Sequence, residues 1–367
     1  MAGEGEFLPG LELCRALYVD GVKPILESRY PDLRHSAARI GAGSEVQGFD
    51  TPVSPDHGWG PRLQLFLAPS DAAAVGAELT ETLSRLLPRR IRGWSTHFAP
   101  SGDEPGASDV LADTDGPVAH GVEIADCATW FTRKLGVDAT RRLDALEWLC
   151  VPQQYLAEAT AGAVFHDGLG QLEPIRRRLT WYPEQVWRYL LASQWMKLSQ
   201  EEAFVGRTAQ VGDELGSMVV AARQVRELMR LALLQTRVYA PYSKWLGSAF
   251  ARSVPEAAKL DASLRSALSA ATYPERERHL CDAYEELARR HNALDLTPAL
   301  DPSRRQFFDR PFQILGADRF ANALRDSISH PELKRLPLTG AVDQWADNTD
   351  YIAQDDAIAA SIRALRH

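Results

Sequence analysis

The sequence predicts a small α/β domain with a mixed sheet followed by an all-α domain of the helical-bundle type. Three observations carry this. Strand-like alternation of apolar residues is confined to about the first 128 residues. Helical periodicity fills nearly all that follows. The composition shifts with no repeat near residues 126–140, so the expected domains are 1–130 and 131–367, a length that suits two domains.

Taken in order, residues 8–29 read as an amphipathic helix, with Leu11, Leu13, Ala16, Leu17, Ile25 and Leu26 apolar. Pro24, which has no N–H to give, is expected to divide it. Residues 36–41 form a short strand that leads into Gly43-Ser44. Arg62 to Leu67 is apolar at 63, 65 and 67, the period of a half-buried strand. Ser70 is placed to cap a helix running to about Leu87 and ended by Pro88. Ile91–Phe98 and Val118–Ala125 are the next strands, separated by the polar stretch SGDEPGASDVLADTDGP. Helices then fit 142–165, 183–205, 213–238, 254–272, 274–294 and 316–329. In the third of these, Leu215, Val219, Ala222, Val225, Met229 and Leu233 recur every three or four residues, the spacing of a core-facing stripe.

Composition narrows the function. The chain is 45% hydrophobic with 12 Phe, 10 Tyr and 9 Trp, enough to bury substantial cores. The formal net charge of −8 argues against a nucleic-acid groove, which carries a basic excess. Cys14, Cys127, Cys150 and Cys281 are far apart and form no CxxC pair, so reduced thiols are expected rather than zinc or disulfides. The start, MAGEGEFLPG, lacks the basic and apolar regions of a signal peptide. No run of eighteen apolar residues marks a membrane span. A cytoplasmic location is expected.

The stretch most suggestive of chemistry is GSEVQGFDTPVSPDHGWGPRLQLFL, from Gly43 to Leu67. Gly43 has no side chain to hold a phosphate away, so backbone N–H groups and the Ser44 hydroxyl can donate to phosphate oxygens. Twelve residues after Ser44 stands Asp56, a carboxylate able to hold magnesium through oxygen. The same residues also read as a turn-rich loop between two strands. Glu123, between the apolar strand positions Val122 and Ile124, points to the opposite face. Arg62 can neutralise phosphate charge, and Trp59 can close a pocket or serve the core.

The order Gly-Ser, spacer, acidic residue, strand resembles the signature of the nucleotidyltransferase superfamily that includes DNA polymerase beta and the aminoglycoside nucleotidyltransferases. That signature is Gly-Ser, about ten residues, then Asp-x-Asp on a strand. Gly43, Ser44 and Asp56 match it, and Gly58 stands where the second carboxylate belongs. The segments QEEAFVGR, VGDELGS, YAPYSKWLGSAF and GAVDQWADNTD also look like those of an uncharacterised bacterial family, classed as a nucleotidyltransferase-like domain of unknown function with a helical C-terminal portion.

The resemblance implies a nucleotidyltransferase-like α/β domain and a helical substrate domain. The implied reaction moves a nucleoside monophosphate, AMP from ATP in the first instance, to a hydroxyl or amine of a small-molecule acceptor. Mg2+ is the implied cofactor, with Asp56 as ligand and Asp50 or Glu123 making good the missing carboxylate. Glu123 is also the expected general base, with Asp126 as the alternative. Gly43, Ser44, Arg62 and Lys244 are the expected nucleotide contacts. Lys244 lies among aromatic residues in the motif YAPYSKW.

Glu201, Glu202 and Arg207 form a polar corner suited to a cationic acceptor, and Asp213 there suits a helix cap. Arg223, Arg230 and Arg237 share one helix face that either binds phosphate or is solvated. Gly58 leaves open a different class of function, a non-catalytic nucleotide-binding regulator, and a helical scaffold is a third. The chain has no GxxxxGK[ST] loop, GxSxG elbow or HExxH helix.

Overall fold

The computed structural model describes residues 6–56, 58–102, 109–346, 348 and 355–366. It is a mixed α/β protein with a small mixed sheet and many helices. The chain forms two compact units, one of Met1–Leu143 with Tyr155–Thr180, the other of Asp144–Gln154 with Trp181–His367.

The first unit is built on a four-stranded sheet ordered Gly121–Ala125, Arg62–Leu67, His35–Arg39, Ala163–Asp167. Arg62–Leu67 runs parallel to Gly121–Ala125, with Gln64 opposite Glu123. It runs antiparallel to His35–Arg39, with Ala38 opposite Gln64. The facing expected over Arg62–Leu67 is realised, but the strand is buried on both faces rather than half-buried: Gln64 is 7% and Phe66 0% exposed. Leu63, Leu65 and Leu67 join Ala37 and Val122 in a core completed by Leu13, Leu17, Leu79 and Leu83. Gln64 and Glu123, half a period out of step, fall on the other face.

The N-terminal helix is not divided at Pro24. Helices Gly10–Ala16 and Lys23–Arg29 are joined through a π-helical segment, Leu17–Val22, in which the Lys23 N–H reaches back to the Tyr18 carbonyl. Pro24 lies just after this segment, within one continuous helical run. The helix expected from Ser70 starts at Pro69, with Ala68 before it and no side-chain cap.

Two other elements differ from expectation. Ile91–Phe98 is not one strand. Arg92 (φ 50°) and Gly93 (φ 85°) turn it into a hairpin of Arg90–Ile91 with Trp94–Ser95, the two positive φ values that a tight hairpin needs. Residues 142–165 are not one helix. They give helices Ala145–Cys150 and Gln153–Thr160 and then strand Ala163–Asp167. Pro152 breaks the first helix, and Gly162 (φ 73°) turns the chain out of the second so closely that a Cβ there would lie 2.1 Å from the Arg39 carbonyl oxygen. The strand then pairs with His35–Arg39.

Among the described residues, the regular structure of the second unit is helical apart from the short hairpin Arg305–Gln306 with Gln313–Ile314. Helices Glu184–Ser199, Glu214–Thr236, Tyr273–Ala293 and Asp318–Ser327 supply its core, in which Trp187, Trp195, Leu228 and Phe320 are fully enclosed. Asp213 caps the second of these through the Gly216 N–H at 2.8 Å, as the sequence suggests. The stripe on that helix departs from expectation. Val225 and Leu233 are buried, but Leu215 is 72% and Val219 61% exposed. No helix among the described residues is long and apolar enough to cross a membrane.

Candidate functional site

The Gly-Ser turn follows directly from the strand His35–Arg39. Its shape is set by Arg39, whose buried guanidinium lies inside the turn. It donates to the Ile40 and Ala42 carbonyls and pairs with the buried Glu45 carboxylate, Nε to Oε1 at 2.8 Å. Gly43 (φ 145°) lies against this pair. A Cβ there would come within 2.5 Å of Glu45 Oε1 and 2.6 Å of Arg39 Nη2. The local need for glycine is therefore packing on an ion pair, beside any approach of phosphate. Ser44 is half-buried, and its hydroxyl has no hydrogen bond among the described residues; its carbonyl accepts from Phe49 N at 2.8 Å.

Glu123 lies across the sheet from this turn and is joined to it by two side chains. Gln64 accepts from Ile40 N at 3.1 Å and donates through Nε2 to Glu123 Oε2 at 3.2 Å. Trp130, on helix Cys127–Leu135, donates Nε1 to the same oxygen at 3.2 Å. The Trp130 ring also packs beneath Gly41 (φ 90°), where a Cβ would lie 3.2 Å from it. Arg133, one turn on from Trp130, pairs with Glu123 Oε1. The Glu123 side chain stays 34% exposed, so it is accessible as well as anchored. Ile40, Gly41, Gln64, Glu123 and Trp130 thus form one connected set.

Asp56 closes a short 3-10 turn, Ser54–Asp56, six residues before the strand begins, whereas the signature puts its acid on the strand. The side chain of Asp56 lies outside the described residues, as does His57. Gly58 has φ 65° and open space around the position of a Cβ. Asp50 accepts at Oδ2 from Gly10 N at 2.7 Å and Trp59 Nε1 at 3.3 Å, so that oxygen holds the start of the first helix. Trp59 itself is buried in the core, edge-on to Trp94. No three His, Cys, Asp or Glu side chains gather as a metal site among the described residues. For magnesium, Glu123 is the accessible carboxylate of this connected set, with Oε2 receiving two N–H donors and Oε1 paired with Arg133.

Arg62 stacks on Phe98 at 4.2 Å, donates Nε to the Gly58 carbonyl at 3.0 Å and lies 3.7 Å from Asp109. It lines a cavity of about 450 Å³ with Thr80, Ser84, Phe98 and His120. Burial pulls the His120 ring below the ordinary histidine range, against hydrogen bonds to Thr80 and Val122. Asp126 caps helix Cys127–Leu135 through the Thr129 N–H at 2.9 Å.

In the helical unit, Lys244 is exposed, its ammonium 5.0 Å from the centre of the Trp245 ring. Glu201 pairs with Arg223 at 3.2 Å, and Arg207 is exposed over the Phe204 ring. Glu202 is buried. Its two oxygens accept from the N–H groups of Leu315, Gly316 and Ala317 at 2.9–3.2 Å, where helix Asp318–Ser327 begins. Burial pushes its carboxyl up to about 7 despite those three donors.

Sequence reasoning missed Gln64, Trp130, Arg133 and the Arg39–Glu45 pair. One signal was available for Gln64. A polar residue between Leu63 and Leu65 on a strand must face away from the core, as Glu123 does between its own apolar neighbours. The pairing of those two strands joins residues fifty-nine apart, and nothing local announces it.

Residues 148–246 match a family model described as a domain of unknown function (DUF4037). The match covers less than a third of the chain and includes QEEAFVGR and VGDELGS. No curated protein matches this sequence. Among solved structures, a nucleotidyltransferase-like protein from Exiguobacterium sibiricum 255-15 is similar over 77% of this chain and 75% of its own, at 12% identity and a TM-score of 0.32. A likeness of that degree fixes neither fold nor function.

Proposed function

We propose that the first unit binds a nucleoside triphosphate at the Gly43-Ser44 turn and that the chain transfers its nucleoside monophosphate, AMP in the case of ATP, to a hydroxyl or amine of a small molecule. The observation that carries this reading is the connected set just described: the turn with the unengaged Ser44 hydroxyl and the accessible Glu123 share Gln64 and Trp130 as common supports. The motif order in the sequence points the same way. In this reading Ser44 and the turn N–H groups donate to phosphate oxygens. Asp56 and Glu123 would hold Mg2+ through carboxylate oxygens. The metal supplies charge neutralisation on the transferred group.

A second reading, nucleotide binding without transfer, is favoured by the polar partner beside Glu123. Gln64 is a neutral amide, and Arg133 already neutralises the carboxylate. One experiment separates the two. Thermal unfolding is followed with each NTP, with and without magnesium, and consumption of labelled NTP is measured with mixed hydroxyl and amine acceptors. Binding at 100 times the dissociation constant should stabilise by about 2.7 kcal/mol. Transfer requires that Glu123→Gln abolish magnesium-dependent consumption while the protein keeps its fold. Stabilisation without consumption favours the second reading. No response to any NTP, in either assay, removes both.

A further inference from the structure

The first unit holds a cavity of about 470 Å³ that has no part in the reaction proposed above. Every residue lining it belongs to that unit. The sheet defines its place. Ala163–Asp167 runs antiparallel to His35–Arg39, which runs antiparallel to Arg62–Leu67. Ala163–Asp167 therefore points the same way as Arg62–Leu67 and Gly121–Ala125. The cavity is lined by residues just beyond the ends of all three: Pro69, Asp126 with Cys127, and Gly170 with Pro174. The carboxyl ends of strands, where the chain parts into connecting helices, are where open α/β sheets receive ligands. Gly43-Ser44 follows the strand that runs the other way. It stands at the opposite end of the sheet, separated by the length of His35–Arg39, roughly 14 Å.

Two opposite charges line this cavity. Asp126 accepts at Oδ1 from Thr129 N at 2.9 Å. Arg178, on helix Leu172–Leu179, is held in place by Nη2, which donates to the Ala139 and Thr140 carbonyls at 3.0 and 2.9 Å. Its Nη1 has no hydrogen bond among the described residues. The two charges do not pair with each other, and neither has an ion-pair partner among the described residues. Pro69, Ala128, Pro174 and Ile175 give the rest of the wall an apolar character.

This combination selects a ligand. An anion alone meets Asp126, and a cation alone meets Arg178. A neutral apolar molecule leaves both charges short of water with nothing in return. A molecule with an ammonium group, a carboxylate and an apolar remainder answers all three surfaces, and a guanidinium is suited to a carboxylate. The volume falls within the roughly 300–1,000 Å³ of small-molecule pockets.

We propose that this cavity binds a free amino acid with an apolar side chain, its ammonium on Asp126, its carboxylate on Arg178 and its side chain against Pro69, Pro174 and Ile175.

The test uses the full chain without nucleotide, so its result is independent of the transfer reaction. Thermal unfolding and calorimetric titration are run with free valine, leucine, isoleucine, methionine and phenylalanine. The N-acetyl and amide derivative of each, which lack one charge, serve as controls. At least one free amino acid is expected to raise the unfolding temperature and titrate at one per chain, with both its derivatives at least about tenfold weaker. Asp126→Asn keeps a helix cap, since Asn caps as well as Asp does, and should also weaken binding at least about tenfold. Ala128→Trp, at an exposed position on the cavity wall, should abolish binding by filling the space. The derivative comparison needs no variant and so decides the question even if a variant unfolds. No response to any of the five overturns the proposal. So does equal binding of the derivatives, or binding that Asp126→Asn or Ala128→Trp leaves unchanged.

Discussion

Replacing Arg39 with alanine tests the physical basis of the Gly-Ser turn directly. The guanidinium is almost fully enclosed, donates to two carbonyls of the turn and faces Glu45, whose side chain is 1% exposed. Arg39→Ala leaves that carboxylate without a counter-charge in a region that water cannot reach, and leaves two turn carbonyls without their donor. Breaking one side of a buried ion pair costs about 3–5 kcal/mol. In a unit of this size each kcal/mol lowers the midpoint by about 2–4 °C, so the transition of the first unit should fall by roughly 6–20 °C. Removing both charges is a different perturbation. Arg39→Met with Glu45→Leu fills the space with apolar atoms and abolishes the stranded charge, so it should lie closer to the native protein than Arg39→Ala does. Calorimetry of the native, single and double variants is the assay. If Arg39→Ala changes stability by less than about 1 kcal/mol, or the double variant is the less stable of the two, the pair is not what holds the turn.

Two further predictions follow from single positions. Glu202 is raised by burial from 4.5 to about 7. Its protonated form is thus favoured in the folded state, so its contribution to stability is complete below about pH 4.5 and is lost as pH rises through 7, a change of roughly 3 kcal/mol. Urea unfolding at several pH values should show that slope in the native protein and its loss in Glu202→Gln; equal slopes in both would show that burial does not control this carboxyl. Gly58→Asp places a carboxylate where the resemblance expects one. With φ 65° and open space around the new Cβ, the variant should fold at a cost of about 1–2 kcal/mol. A variant that does not fold, by circular dichroism, would mean that the loop is closed there.

Much of this protein is written in local chemistry. The helix Glu214–Thr236 follows from its apolar spacing and from Asp213, whose carboxylate accepts the Gly216 N–H. The strand Arg62–Leu67 follows from three alternating leucines, and the outward turn of Glu123 from its two apolar neighbours. Each of these rests on contacts or periodicities that span a few residues, so a reading of the chain alone reaches them.

Tertiary structure decided the rest, because the deciding contacts join distant residues. The strand Ala163–Asp167 lies at the sheet edge and has no fully buried residue to give it a strong pattern; only its pairing with His35–Arg39 makes it a strand. Parallel pairing of Arg62–Leu67 with Gly121–Ala125, strands separated in sequence by the helix Pro69–Leu86, puts Gln64 opposite Glu123 and brings the amide to the carboxylate. Gly43 reads in sequence as room for a phosphate, and the fold adds a buried ion pair that demands the same residue. Leu215 and Val219 have the spacing of a core stripe, but periodicity records only that residues share a face. Which part of that face the rest of the chain covers is decided by distant packing, and among the described residues Leu215 and Val219 stay 72% and 61% exposed.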